Sequence, residues 1–231
     1  MINVIISASK QSGNACVMGD SEQDHCFKIA QEVVRLLGDY DCKTCLVPNL
    51  KGSEAATLNF TVKTENNFVI NNPANMSLFV EIHTDAGYNA HGCSAFYVSE
   101  GGRGLANKLY QRVSKLTPGL DVGVIKRENL FVINKTKSLA CLIELSFHDQ
   151  KLEAQFVHDR WQDFAKAISL GIMDYAALKL KPAVDNFDDI INDAFQSQKI
   201  VDPNFWTKNA IVGKQIDGNL VRKLVCALID D

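Results

Sequence analysis

No charge of one sign dominates this sequence: 24 lysines and arginines stand against 27 aspartates and glutamates, a net charge of -3. That excludes the broad basic face a nucleic-acid partner needs. Long apolar runs are missing too. None approaches the ~20 residues of a membrane-spanning helix, so no membrane insertion is expected. The opening Met1-Ile-Asn-Val-Ile-Ile has neither the basic region nor the long apolar stretch of a signal peptide. Synthesis in the cytoplasm without a signal peptide is the expectation. The cysteines are an odd set, Cys16, Cys26, Cys42, Cys45, Cys93, Cys141 and Cys226. Their scatter excludes a disulfide framework and suits a reducing compartment. Cys42 and Cys45 form a CxxC, but no second pair accompanies it, which favours a structural role over zinc. Internal repeats and low-complexity tracts are absent.

What is present is a globular composition, 46% hydrophobic over 231 residues. That length suits one medium domain with a small appendage, or two small ones. Asn3 to Ser7 reads as a buried strand, and Ser9 to Asp20 as a polar loop. Ser21 then reads as an N-cap before a helix carrying Ile29, Ala30, Val33, Val34 and Leu37, ended by Gly38. Lys43 to Val47 is a second strand. The asparagine-rich stretch from Pro48 to Asn75 reads as a long connection with little core. Strands follow at Leu78 to Ile82, Ser94 to Val98, Leu130 to Ile133 and Leu139 to Glu144, with helices at Gly104 to Leu116 and Leu152 to Leu178. This alternation predicts an α/β fold, a mainly parallel twisted sheet flanked by helices on both faces. Residues 1–178 form the expected main domain, 179–185 a linker around Pro182, and 186–231 a small all-α C-terminal module.

Two segments carry chemistry. Leu78-Phe-Val-Glu-Ile-His83-Thr-Asp-Ala-Gly87 is an apolar strand that ends on a histidine. The ends of central strands are where open α/β sheets bind ligands. An imidazole there can hold a metal or move a proton near neutral pH; it can also simply bond to backbone. Leu139-Ala-Cys-Leu-Ile-Glu144-Leu-Ser-Phe-His148 is a similar strand ending on a carboxylate. Loss of solvation raises the proton affinity of such a group, which suits a general base. The alternative is a glutamate paired with a lysine or capping a helix. Glu22 opens the first helix and shares a face with His25, three residues on. Carboxylate and imidazole on one face make a usable metal pair, although the helix dipole alone also favours Glu22. His91 and His158 have no such company and read as surface residues.

Together these pieces resemble the zinc-dependent N-acetylmuramoyl-L-alanine amidases of phage endolysins and bacterial cell-wall hydrolases. The resemblance rests on Ser21-Glu22, on Glu81-Ile-His83-Thr-Asp-Ala-Gly87, on Thr117-Pro-Gly119, on Asn129-Leu-Phe-Val-Ile133 and on Ile143-Glu144-Leu-Ser-Phe-His148-Asp149. It covers residues 1 to about 178. It implies peptidoglycan as partner, Zn2+ as cofactor, Glu22 and His83 as ligands, and Glu144 as catalytic acid/base. His148 is implied to hydrogen-bond the oxyanion or orient Glu144, and Thr84 and Asp85 to orient the other nitrogen of His83. The protein would act on the cell wall after release. The sequence departs from the family at the first histidine ligand, where Ser7-Ala-Ser-Lys10-Gln11 puts a lysine. An ammonium has no lone pair to give. Gln11 and His25 are the alternative third ligands; Asn14 follows in a Ser-x-Gln turn found in some relatives. Two other readings stay open: a zinc peptidase of the stem peptide, and a peptidoglycan-binding protein with a degenerate site. The run Ile200 to Trp206 resembles the small helical tails that follow such domains, and implies either wall anchoring or a structural tail.

Overall fold

The computed structural model describes residues 1–50, 52–87, 91–119 and 122–181. The expected module over 186–231, with Cys226 and Trp206, lies outside the described residues. Met1–Leu180 forms one compact unit.

Its centre is a six-stranded sheet in the order β2-β1-β3-β6-β4-β5. The strands are β1 (Ile2–Ala8), β2 (Cys42–Leu46), β3 (Met76–Asp85), β4 (Ser94–Tyr97), β5 (Gly123–Lys126) and β6 (Leu139–Phe147). β2, β1, β3 and β6 are parallel neighbours. β4 pairs with β6 antiparallel and carries β5 parallel to itself. The sheet is therefore mixed, with four parallel strands from the β2 edge to β6 and one antiparallel step, between β6 and β4.

Period-two alternation sends the strands' apolar residues to two cores. Val4, Ile6, Leu78, Val80, Ile82, Cys141 and Ile143 pack on one face with the helices α1 (Glu22–Leu37), α3 (Glu100–Val113) and α6 (Trp161–Ala176). Ile5, Phe79, Ala140 and Leu142 pack on the other face, beneath α2 (Glu54–Asn71) and α4 (Phe131–Lys135). A sheet covered on both faces buries near-continuous apolar strands, as the sequence of β1 and β3 requires. Cys42 packs toward the first core and Cys45 toward the second, so the CxxC thiols diverge.

Three expectations are corrected. The supposed long connection contains α2, a helix of 18 residues. It escapes a periodicity reading because its fully buried residues are polar: Thr57, Thr61 and Glu65. Ser53 caps it by accepting from Ala56 N. Thr57 and Thr61 return their hydroxyls to Glu54 O and Thr57 O. Glu65 accepts from Lys137 N, Ser138 N and the Ser138 hydroxyl, which ties the helix to the start of β6. The second correction is at Leu130 to Ile133, where the apolar run is the start of α4 and inserts Val132 and Ile133 into the second core. A short apolar run does not distinguish strand from helix by period. The strand is instead β5, at the sheet edge. Third, the long C-terminal helix breaks at Arg160 into α5 (Lys151–Asp159) and α6.

The Glu65 anchor generates a test. Glu65→Ala removes the partner of two backbone N–H groups at a part-buried site. It is expected to lower unfolding stability by about 2–4 kcal/mol in urea titration, and a loss below about 1 kcal/mol would mean that α2 is held by other contacts.

Candidate active site

β3 and β6 run three residues or more past the apolar stretches that mark them in sequence, so His83 and Glu144 sit within their strands and not at their ends. They are register partners on the parallel pair, which sets them side by side at the carboxyl rim of the sheet. The third piece comes from α1. Ser21 caps this helix by accepting from Asp24 N, and the turn it begins delivers Glu22 over the rim. His83 Nδ1 lies 2.9 Å from Glu22 Oε1, with the two side chains 12% and 1% exposed. Asn14 Nδ2 donates to Glu22 Oε2 at 2.8 Å and also to Gln11 Oε1. The amide oxygen of Gln11 is thereby held next to the carboxylate.

A cleft of about 280 Å³ opens over this rim. Lys10, Gln11, Asn14, Glu81 and His83 line one side, and Glu54, Thr57 and Leu58 of α2 line the other. The helix missing from the sequence reading is thus the far wall of the cleft.

The crowding of charge at the rim sets its electrostatics. Burial opposes the charge on His83, but Glu22 and Glu81 at its two nitrogens, with Glu144 nearby, hold its imidazole well above the ordinary range. Burial also opposes ionisation of Glu22, yet His83, Ser9 and Asn14 hold its carboxyl below the usual value. Glu144 goes the other way. Its burial pushes the carboxyl up to about 8, against the pull of His83 and with the push of Asp85, Glu22 and Glu81. Its Oε2 is sealed and without a hydrogen-bond partner. Burial lowers Lys10 to about 8, while Glu81 works to keep it charged.

The remaining predicted residues lie elsewhere. His25 Nδ1 is 3.0 Å from Asp20 Oδ2, and its ring stacks on His158 with centroids 6.1 Å apart. Burial lowers its proton affinity, against the pull of Asp20. His148 is buried, with Nδ1 2.9 Å from Thr84 O and 3.1 Å from Thr84 Oγ1. Glu22, His25 and His148 share a cavity of about 10 Å³ with Cys16 and Thr84, and none of the three lines the larger cleft. Thr84 is thus committed to His148 and Asp85 Oδ1 to Ala86 N. The nitrogens of His83 face Glu22 and Glu81 instead. His91 and His158 are half exposed, as expected. The Thr117-Pro-Gly119 turn is structural: a Cβ at Gly119 would collide with Glu153 Oε1 and with Gly92 N. Among the described residues, no three His, Cys, Asp or Glu side chains group closely enough for a metal ion. A metal here would draw on Glu22, His83 and either the Gln11 amide oxygen or the unpartnered Nε2 of His25.

These features coincide with a known family. A model described as N-acetylmuramoyl-L-alanine amidase matches residues 6–174. The chain belongs to that family. Solved structures share its architecture. The catalytic domain of CwlV from Bacillus (Paenibacillus) polymyxa var. colistinus is 25% identical, with a TM-score of 0.65 over 78% of this chain and 100% of that one. AmiC2 of Nostoc punctiforme is 19% identical, with a TM-score of 0.62 over 76% of this chain and 97% of that one. The catalytic domain of the CD27L endolysin, which targets Clostridia difficile, is 17% identical, with a TM-score of 0.65 over 75% of this chain and 98% of that one. None of the curated proteins compared matches the sequence. Among the described residues, no helix is long and apolar enough to cross a membrane.

One residue of this amidase site was missed in the sequence. Glu81 stands two residues before His83 on the same strand, and that spacing puts both on one face. Its burial, at 2% exposed, could not be read without the fold.

The Glu144 shift has a thermodynamic consequence. Its folded-state value of about 8 lies above the ordinary 4.5, so folding takes up a proton between those values. Stability from this group is full below about 4.5 and is lost as pH rises through about 8. Glu144→Gln removes the ionisation and keeps the shape. With EDTA present, the variant is expected to melt ~2–5 °C above the parent at pH 8 and level with it at pH 4. Calorimetry across pH checks this, and a parallel offset at both pH values would contradict it.

Proposed function

We propose that this amidase hydrolyses the amide bond between N-acetylmuramic acid and L-alanine in peptidoglycan, with Glu22 and His83 as zinc ligands and Glu144 as general acid/base. The observation that carries the reading is the Glu22–His83 pair, 2.9 Å apart and beside Glu144 on the next strand. Carboxylate and imidazole are ordinary zinc donors. The amide oxygen of Gln11, tethered through Asn14, completes three. His25 bonds to Asp20 through Nδ1 and leaves Nε2 unpartnered in a cavity shared with Glu22, so it is the alternative third ligand to Gln11.

When bound, zinc supplies a Lewis acid that polarises the scissile carbonyl and lowers the pKa of water toward ~7. The chain's own residues supply the rest. Glu144 takes a proton from the attacking water and passes it to the departing L-alanine nitrogen, a poor leaving group until protonated. A carboxyl held near the working pH can do both, and burial holds it there. No hydrogen bond competes for its Oε2. Glu22 keeps its charge through Asn14 and Ser9 and so remains a donor. The cleft between the Lys10–Asn14 turn and α2 receives the stem peptide. His148 bonds to Thr84 through Nδ1 and lines the small cavity with Glu22, from where it steadies the site.

The test is digestion of purified peptidoglycan by the zinc-loaded protein. New amino groups should appear on L-alanine, and Glu144→Ala should reduce their release by about 10²–10⁴-fold. Cuts elsewhere in the stem peptide would make it a peptidase. Wall binding with no bond cleaved would make it a binding protein.

A further inference from the structure

Two opposite charges at the rim have no part in that scheme. Lys10 is 8% exposed and Glu81 2%. Lys10 Nζ and Glu81 Oε1 are sealed from solvent, and neither has a hydrogen-bond partner. Unpaired charges in such places are costly, and each residue lies in the field of the other. The sheet brings them together. Ser7 is the register partner of Glu81, and Ser9 N donates to Ile82 O at 2.9 Å. Lys10 therefore leaves the sheet just past this register, and it lines the same cleft as Glu81.

Glu81 also approaches His83, with Oε1 3.8 Å from Nε2. Glu22 stands 2.9 Å from Nδ1, at the other edge of the ring. The two carboxylates thus flank the imidazole and do not share one nitrogen. An imidazole offers a lone pair from one nitrogen only while the other keeps its proton, and the partner of that second nitrogen sets which one. Metal-bound histidines commonly have a carboxylate in that place. Thr84 and Asp85 are committed elsewhere.

We infer that Glu81, held in place by the charge of Lys10, is a positioning residue that keeps the proton of His83 on Nε2 and turns Nδ1 toward Glu22. The inference rests on the proposed metal role of Glu22 and His83. It gives the lysine at the missing-histidine position a purpose: it supplies charge to the support of one ligand and not a lone pair to the metal.

The experiment is zinc titration of the full chain against a chromophoric chelator. The double variant Lys10→Met/Glu81→Gln removes both charges together, so no lone charge is left buried. It is expected to fold with the parent's circular dichroism and to bind zinc about 10–100-fold more weakly. Glu81→Gln alone carries the same expectation if the double variant does not melt cooperatively. Affinity within about twofold of the parent would overturn the inference. So would a loss as complete as that of His83→Ala, since Glu81 would then be a ligand itself. A parent that binds no zinc would overturn the metal reading, and this inference with it; the first two outcomes overturn this inference alone.

Discussion

The register between β3 and β6 is the constraint on which the site depends. It sets His83 directly beside Glu144 on adjacent parallel strands, both turned to the face that α2 partly covers. A shift of one residue in either strand would send one of them to the opposite core, because side chains alternate. Phe79, Ala140 and Leu142 in one core and Leu78, Val80, Cys141 and Ile143 in the other hold that register. The same apolar packing that stabilises the sheet therefore positions the chemistry.

Concentrating acids at a buried rim has an electrostatic cost, and the surrounding residues offset it. Asn14 and Ser9 serve Glu22, Lys10 serves Glu81, and His83 lies among all of them. Glu144 has no such partner and keeps its proton affinity high. One rim thus holds a carboxylate kept ionised and another kept ready to take up a proton. Environment separates two chemically identical side chains into two roles.

The elements with local signatures were legible in sequence. The capped helix at Glu22, the apolar strands and the break at Thr117-Pro-Gly119 all rest on neighbours in the chain. α2 was not legible, since its buried face is two threonines and a glutamate gripping backbone 72 and 73 residues away. β5 and α4 were exchanged in sequence because short apolar runs have no diagnostic period. For His25 and His148, a helix face and the residue just after a strand do not say which way a ring turns. Asp20 and Thr84 engage their Nδ1 atoms, and both rings line a small cavity with Glu22.

The sequence by itself determined the fold class, the family, and the presence of Glu22, His83 and Glu144 on the right elements. Those are matters of periodicity, capping and motif order, which one chain segment carries alone. Only the tertiary structure decided which groups face one another. It set Glu81 against His83, gave Lys10 a buried counter-charge, tied Gln11 to Glu22 through Asn14, and made α2 the wall of the cleft. Distances between strands and the burial of charge arise when distant segments meet, and no local pattern encodes them.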